Sequence, residues 1–420
     1  MKCKYKIRSL NVQCAIMRMF GILPMKCCSK GVQRWIANGI LVILFFNVLG
    51  KLIYIYKVSP ELSFWRKVSN VNLWYYQTYT FFMYLSLYVD SEGILTLKQH
   101  VEGTFYHTSS EETKKIIRSS RRKEQTFCLV AALAMISLVA LALFAYLFVV
   151  PKSSGLSQSA VEYFQREGKR YPENQNVIKN WFPFDETVPP WPEILNAIGI
   201  SLFLSCTVLL YIFITFVPLV GFHVQGQFQI LLHQIASLSG DLLTAPVSSA
   251  TGDERHEVVY KKIRDLVEHH QLILRFCHEY SVFCRAMLLV RGTFCSIYIA
   301  STVILTSSMI SNPKLIPFIV SQIIFAMLDV FMFCYFGEMF IQNSQKVSSK
   351  LYSVKWYDFP QRSKQLIRIM HLRAQKPARL TLFKRFIVVG IHLMVQILRA
   401  SYSVCALLIE KKVVVESATA

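Results

Sequence analysis

Six residues near the C-terminus, His392, Gln396, Arg399, Ser403, Leu407 and Glu410, follow one another at spacings of 4, 3, 4, 4 and 3. A helix sets all six on one face. The stretch around them, FIVVGIHLMVQILRASYSVCALLIE, is otherwise apolar. Polar and ionisable groups are costly in hydrocarbon, so a membrane helix turns them toward a bundle interior or toward water. Several copies around an axis would make this face the lining of an ion path. A polar seam packed against helices of the same subunit explains the spacing as well, and periodicity leaves both readings open.

Two further ionisable residues interrupt apolar stretches. Arg291 lies about 28 Å from the outer end of the fifth stretch and Asp329 about 21 Å from the start of the sixth, at the helical rise per residue. At those depths they can pair, which offsets the cost of burying each. His269, His270 and His278 lack a Cys or carboxylate framework at ligand spacing, so they read as packed or solvated histidines rather than a metal site. No nucleophile, base and acid come together in the sequence. The chain reads as a non-enzyme without a cofactor.

The elements that position these groups are membrane helices. The 420 residues are 53% hydrophobic and 17% charged. Seven apolar stretches, 36–56, 71–94, 127–150, 194–220, 286–310, 315–340 and 386–409, have the length of a bilayer span. The predicted fold is an all-α membrane protein with seven transmembrane helices. Residues 1–35 form an N-terminal segment, and 36–420 form one seven-helix domain.

The net charge of +21 is distributed by side, which argues for membrane lipid and against nucleic acid. Lys and Arg number eight in 1–34, seven in 98–124, four in 222–273 and eleven in 341–385. The alternate connections and the C-terminal tail hold three, five, one and two. Positive charge gathers on the cytoplasmic side. The N-terminus is expected inside and the C-terminus outside, opposite to a G-protein-coupled receptor. Residues 1–34 lack the compact apolar core of a cleavable signal peptide.

The apolar run 14–20 reads as an amphipathic turn lying in the membrane interface. Of eleven cysteines none falls in the long outer loop 151–191, so a disulfide-braced exterior is not expected. Cys27 and Cys28 read as cytosolic thiols, with palmitoylation the alternative. In the second stretch Tyr75, Tyr79 and Phe82 share a face, with pocket lining and helix packing both open for the deeper two. The pattern of HEVVYKKIRDLVEHHQLILRFCHEY predicts that the fifth helix continues well into the cytoplasm.

CYFGEMFIQNSQKVSSKLYSVKWYDFP, LIRIMHLRAQKPARLT and ILRASYSVCALL, with a weaker match in HHQLILRFCHEY, resemble the insect odorant receptor family. The resemblance covers about 75 continuous residues. The Ser401-Tyr402-Ser403 ending departs from the pattern of the related gustatory receptors. The chain also lacks the long second cytoplasmic insertion of the family's co-receptor, so it resembles an odour-specific tuning receptor.

The resemblance implies a ligand-gated, non-selective cation channel of four subunits, assembled with the olfactory co-receptor. It places the subunit in the dendritic plasma membrane of olfactory neurons, with a small volatile hydrophobic ligand. The last helix, 386–410, would line the pore through Gln396 and Ser403. Leu407 would form the gate, and Glu410 replaces an amide of the co-receptor. The inner ends of helices four to seven, about 222–285 and 341–385, would form a cytoplasmic anchor; within it the compact aromatic group Trp356, Tyr357 and Phe359 reads either as a subunit contact or as a helix-to-helix corner within one subunit. The odorant would sit in the outer halves of helices two, three, four and six. Periodicity then selects Tyr75, Tyr79, Phe82, Leu143, Tyr146, Ile198, Leu202, Phe318 and Gln322.

Overall fold

Apolar stretches this long can satisfy their backbone groups in lipid only as helices, and the computed structural model is helical almost throughout. It describes residues 8–24, 29–58, 64–103, 111–144, 180–182, 191–244, 252–309, 316–382 and 387–419. Among the described residues the helices are α1 (Arg8–Met19), α2 (Lys30–Val58), α3 (Phe64–Val89), α4 (Ser91–Gly103), α5 (Glu111–Phe144), α6 (Trp191–Thr244), α7 (Gly252–Met309), α8 (Ile316–Ser353), α9 (Gln361–Ala374) and α10 (Ile391–Thr419). The seven apolar stretches fall on α2, α3, α5, α6, α7, α8 and α10. By length and composition, α2, α5, α6, α7 and α8 contain candidate membrane spans. In α3 and α10 the apolar character is diluted, by Asn70, Asn72 and Gln77 in one and by the polar stripe in the other.

With 54 and 58 residues, α6 and α7 are about 80 and 87 Å long, against a hydrocarbon thickness of about 30 Å. Each must project far beyond a bilayer at the end that carries the basic connections. The fifth helix does run on as its periodicity predicts. Large rings are buried at that basic end. Phe276, Tyr280, Phe336 and Phe340 are fully buried there. Tyr280 sits 5.5 Å from the Phe340 ring and donates to the Val217 carbonyl at 2.9 Å. At Gly337 of α8 a Cβ would run into the Val389 carbonyl, so only glycine admits the chain that crosses it.

Two expectations change here. The last helix does not begin at Phe386. Ile387–Val388 (β2) pairs antiparallel with Thr381–Leu382 (β1), Val389 N–H donates to the Leu380 carbonyl at 2.9 Å, and the helix starts at Ile391. Nor is the run 14–20 an isolated turn, since one apolar side of it packs into the bundle. Leu10, Cys14 and Met17 of α1 are fully buried. Gln13 donates to Thr215 of α6 at 2.6 Å, and Ser9 donates to the buried Glu124 of α5. Burial pushes the Cys14 thiol up. Gly21, at φ +71°, ends this helix in a left-handed turn that favours glycine. Cys14, Cys128, Cys206, Cys277, Cys284, Cys295 and Cys334 are free thiols, whereas Cys27 and Cys28 lie outside the described residues.

Candidate ligand cavity and polar helix face

The residues expected to pair do so. Arg291 Nη1 reaches Asp329 Oδ1 at 2.5 Å, with side chains 3% and 5% exposed. The guanidinium also donates to the Phe213 carbonyl of α6 at 3.0 Å and lies 4.0 Å from the Phe333 ring centroid. Pro218 cannot donate to the Ile214 carbonyl one turn before it, and the guanidinium binds the adjacent carbonyl of Phe213. One ion pair thereby joins α6, α7 and α8.

Above that pair, toward the end away from the basic connections, is a cavity of about 70 Å³. Its wall is almost wholly apolar. Tyr75, Tyr76 and Tyr79 come from α3, Leu210 and Ile214 from α6, Phe294, Cys295 and Tyr298 from α7, and Ala326 and Asp329 from α8. Phe294 is the hub of the ring system, with centroids 6.0 Å from Tyr75, 6.1 Å from Tyr79 and 6.0 Å from Phe82. Tyr298 donates to Gln322 at 2.7 Å and Tyr76 lies 3.5 Å from the Thr207 hydroxyl. On the far side Ser301 donates to Asn72 at 3.2 Å, one turn beyond Tyr298, in a small polar roof.

The sequence-selected pocket residues divide accordingly. Tyr75 and Tyr79 line the cavity. Phe82 shares their face but stops behind Phe294 and is 40% exposed. Gln322 stands one layer out, holding Tyr298. Ile198 is 48% exposed and Leu202 also lies off the wall. Helix α6 meets the cavity further down, at Leu210 and Ile214. The side chains of Leu143 and Phe318, and the whole of Tyr146, lie outside the described residues. The expected pocket draws no residue from α7, which supplies Phe294, Cys295 and Tyr298 to the wall. Its signal was Arg291 itself, because Phe294, Cys295 and Tyr298 follow at helical spacing on the same face.

The polar stripe of α10 faces out of the subunit. His392, Gln396, Arg399, Ser403 and Leu407 are all exposed, Leu407 at 55%. Gln396 and His392 contact each other at 3.1 Å, and Ser403 donates to the Arg399 carbonyl at 3.0 Å. The opposite face, with Leu393, Met394 and Ile397, packs on Cys295, Val330 and Cys334. A seam within one subunit is therefore excluded for these residues. The Glu410 side chain lies outside the described residues.

The aromatic group at the basic end also separates. Phe359 is 3% exposed and belongs to the subunit's own core, so for this residue the corner within one subunit holds and the subunit contact does not. Trp356 is half-buried, and Tyr357 is 59% exposed in the short 3-10 turn Trp356–Asp358. His269 lies between Gln227 and Gln234, at 3.0 and 3.1 Å, and His270 is buried. No cluster of metal-binding side chains occurs among the described residues.

This geometry has solved counterparts. The fold matches the insect olfactory receptor OR5 from Machilis hrabei, in complex with eugenol, at a TM-score of 0.68. That match has 14% identity over 96% of this chain and 98% of that one. A second OR5 structure matches at 0.65 and 12% identity, over 95% and 99% of the two chains. The fold is an all-α membrane fold of seven transmembrane helices.

Among curated proteins, Odorant receptor 22c of Drosophila melanogaster is 24% identical over 176 residues, 41% of this chain and 42% of the relative. The Odorant receptor coreceptor of Aedes aegypti is 29% identical over 94 residues, 22% of this chain and 20% of the relative. These alignments therefore span less than half of either relative. The family described as 7tm Odorant receptor matches residues 68–402. A match over that much of the sequence, on this fold, means that the chain belongs to the odorant receptor family.

Proposed function

We propose that this chain is the odorant-binding subunit of a ligand-gated, non-selective cation channel assembled with olfactory co-receptor subunits. It would sit in the plasma membrane of olfactory neurons with its N-terminus and basic end in the cytoplasm. One observation carries the reading: α10 turns its polar residues away from its own subunit, while an aromatic-lined cavity lies behind its packed face. Around a central axis that outward face would border the ion path.

Cys295 links the two features, because it lines the cavity and also packs beneath Leu393, Met394 and Ile397. A ligand that spreads α3, α7 and α8 would move the surface on which α10 rests. At the basic end Tyr357, Ile369 and Leu372 are exposed at 59, 61 and 64%. Apolar side chains held out on a helical end suit contact with neighbouring subunits.

The test is co-expression with the co-receptor and a panel of volatiles. Odour-evoked current is expected, and Tyr79→Ala should change the order of the responses at unchanged surface expression. An unchanged order at Tyr79→Ala would place the ligand elsewhere.

A further inference from the structure

The cavity wall has one strong polar point, Asp329, and its two carboxylate oxygens are unequally used. Oδ1 takes the guanidinium of Arg291 at 2.5 Å. Oδ2 has two distant partners, the Tyr79 hydroxyl at 3.4 Å and the Cys295 thiol at 3.9 Å. A hydroxyl donating to a carboxylate ordinarily comes within about 2.5–2.7 Å. Oδ2 is thus a poorly satisfied acceptor on a side chain only 5% exposed, at the wall of a hollow. Tyr79 and Cys295 are themselves wall residues, so Oδ2 lies among groups that a ligand would touch.

We infer that the ligand of this subunit is a small neutral alcohol or phenol whose hydroxyl donates to Asp329 Oδ2, which is thereby the specificity-determining group of the cavity. The inference rests on reading the cavity as the odorant site. Three arguments fix the chemistry. The Arg291–Asp329 pair is already neutral as a unit, so an ammonium ligand would bury an uncompensated positive charge. A ligand with only a carbonyl or ester oxygen would set lone pair against lone pair. It could use the Tyr79 hydroxyl instead, but Oδ2 would then keep only the weak thiol donor. An O–H satisfies the acceptor without adding charge.

The rest of the wall selects shape. Tyr75, Tyr76, Tyr79, Phe294 and Tyr298 offer ring faces and edges to a flat apolar body. At about 70 Å³ the hollow is smaller than the roughly 150 Å³ cavity that accepts benzene. A ring-sized ligand must therefore push a side chain aside. Tyr79 is the candidate, since its hydroxyl is the one that covers Oδ2 at long range.

The experiment uses the full receptor with the co-receptor and reads the concentration giving half-maximal current. The probes are matched pairs on one carbon skeleton, benzyl alcohol with benzaldehyde and 1-phenylethanol with acetophenone, plus benzylamine as the cation. Each alcohol should act at roughly tenfold lower concentration than its carbonyl partner, and benzylamine should act no better than benzaldehyde. Tyr79→Phe keeps the ring but removes the competing hydroxyl, so it should widen the gap. The double variant Asp329→Asn with Arg291→Gln removes both charges but leaves two amides able to bond, and should shrink the gap to within about threefold.

Equal or better responses to the carbonyl partners overturn the inference, as does silence to the whole panel. If the double variant does not reach the surface, Tyr79→Phe decides: a lost alcohol preference would mean that the tyrosine hydroxyl was the recognised group. The two readings fail separately. Carbonyl preference together with a Tyr79→Ala effect removes Asp329 as the selector and keeps the cavity, whereas no Tyr79→Ala effect removes the cavity.

Discussion

The two halves of the bundle are packed to different standards. At the basic end, large rings fill the space between α6, α7 and α8, and Gly337 lets a crossing chain approach α8 as closely as backbone permits. Bonds there are of ordinary length, such as Tyr280 to Val217 at 2.9 Å and Ser344 accepting from Ala378 N–H at 3.1 Å. The opposite half borders a hollow, and although Tyr298 reaches Gln322 at 2.7 Å, three other cross-helix bonds there are stretched. Tyr79 to Asp329 is 3.4 Å, Tyr76 to Thr207 is 3.5 Å and Asn72 to Thr302 is 3.4 Å. Bonds near 3.5 Å return little energy and are easily exchanged. Close-packed interiors switch between discrete arrangements instead of deforming, whereas under-filled ones yield to a ligand. One end is built to hold position and the other to be rearranged, with the Arg291–Asp329 pair at their junction.

The largest expected effect comes from that junction. Arg291→Met leaves Asp329 charged, buried and unpaired, a loss of about 3–5 kcal/mol, comparable with the whole stability of many proteins. Surface expression should fall close to background. Arg291→Met with Asp329→Leu removes both charges and should recover a large part of it. Counting surface receptors by an outer tag for the two single variants and the double variant checks this. Additive losses would show that the halves are joined by something other than the pair.

A sharper division is expected within three residues of the basic end. Phe359→Ala empties a filled site and should cost about 3–5 kcal/mol, seen as lost folding yield. Tyr357→Ala removes a ring that its own subunit leaves outside, so the fold should survive while recovery of the assembled channel falls. Size-exclusion of detergent-solubilised receptor separates the two outcomes. Equal behaviour of both variants would break the contrast between a core residue and a contact residue.

The sequence displayed what periodicity and charge alone dictate. The long helices, the continuation of the fifth beyond the membrane and the meeting of Arg291 with Asp329 all follow from hydropathy and a fixed rise per residue. So does the shared face of Tyr75, Tyr79 and Phe82. The level at which helices cross is set by side-chain interdigitation between distant segments, which no local pattern encodes. Ile198 was therefore selected on α6 where Leu210 and Ile214 do the lining, and Phe294 and Tyr298 were passed over. Phe359 stayed open between two readings, because an aromatic residue between polar flanks looks alike whether it meets its own core or a neighbour. The short hairpin before α10 was hidden by the apolar run that it shares with the helix.

The smallest expected effect concerns α10, which touches the yielding half through Cys295 but presents its stripe elsewhere. Leu407, at 55% exposed, and Glu410 are three residues apart, about 4.5 Å along the helix. Around an axis, leucines at one level would form an apolar constriction that water leaves when the helices are close. Leu407→Ala should widen it and raise the current without odorant, by an amount limited to this subunit's share of the ring. Glu410→Gln should do less still. A carboxylate at a confined mouth concentrates cations, and its loss should weaken divalent block or permeation while odour preference stays put. Reversal potentials in altered calcium, for wild type and Glu410→Gln with the co-receptor, measure that directly. A shift in odour preference in either variant would mean that the stripe and the cavity are not separate, and the contrast between the two halves would need redrawing with α10 inside the yielding one.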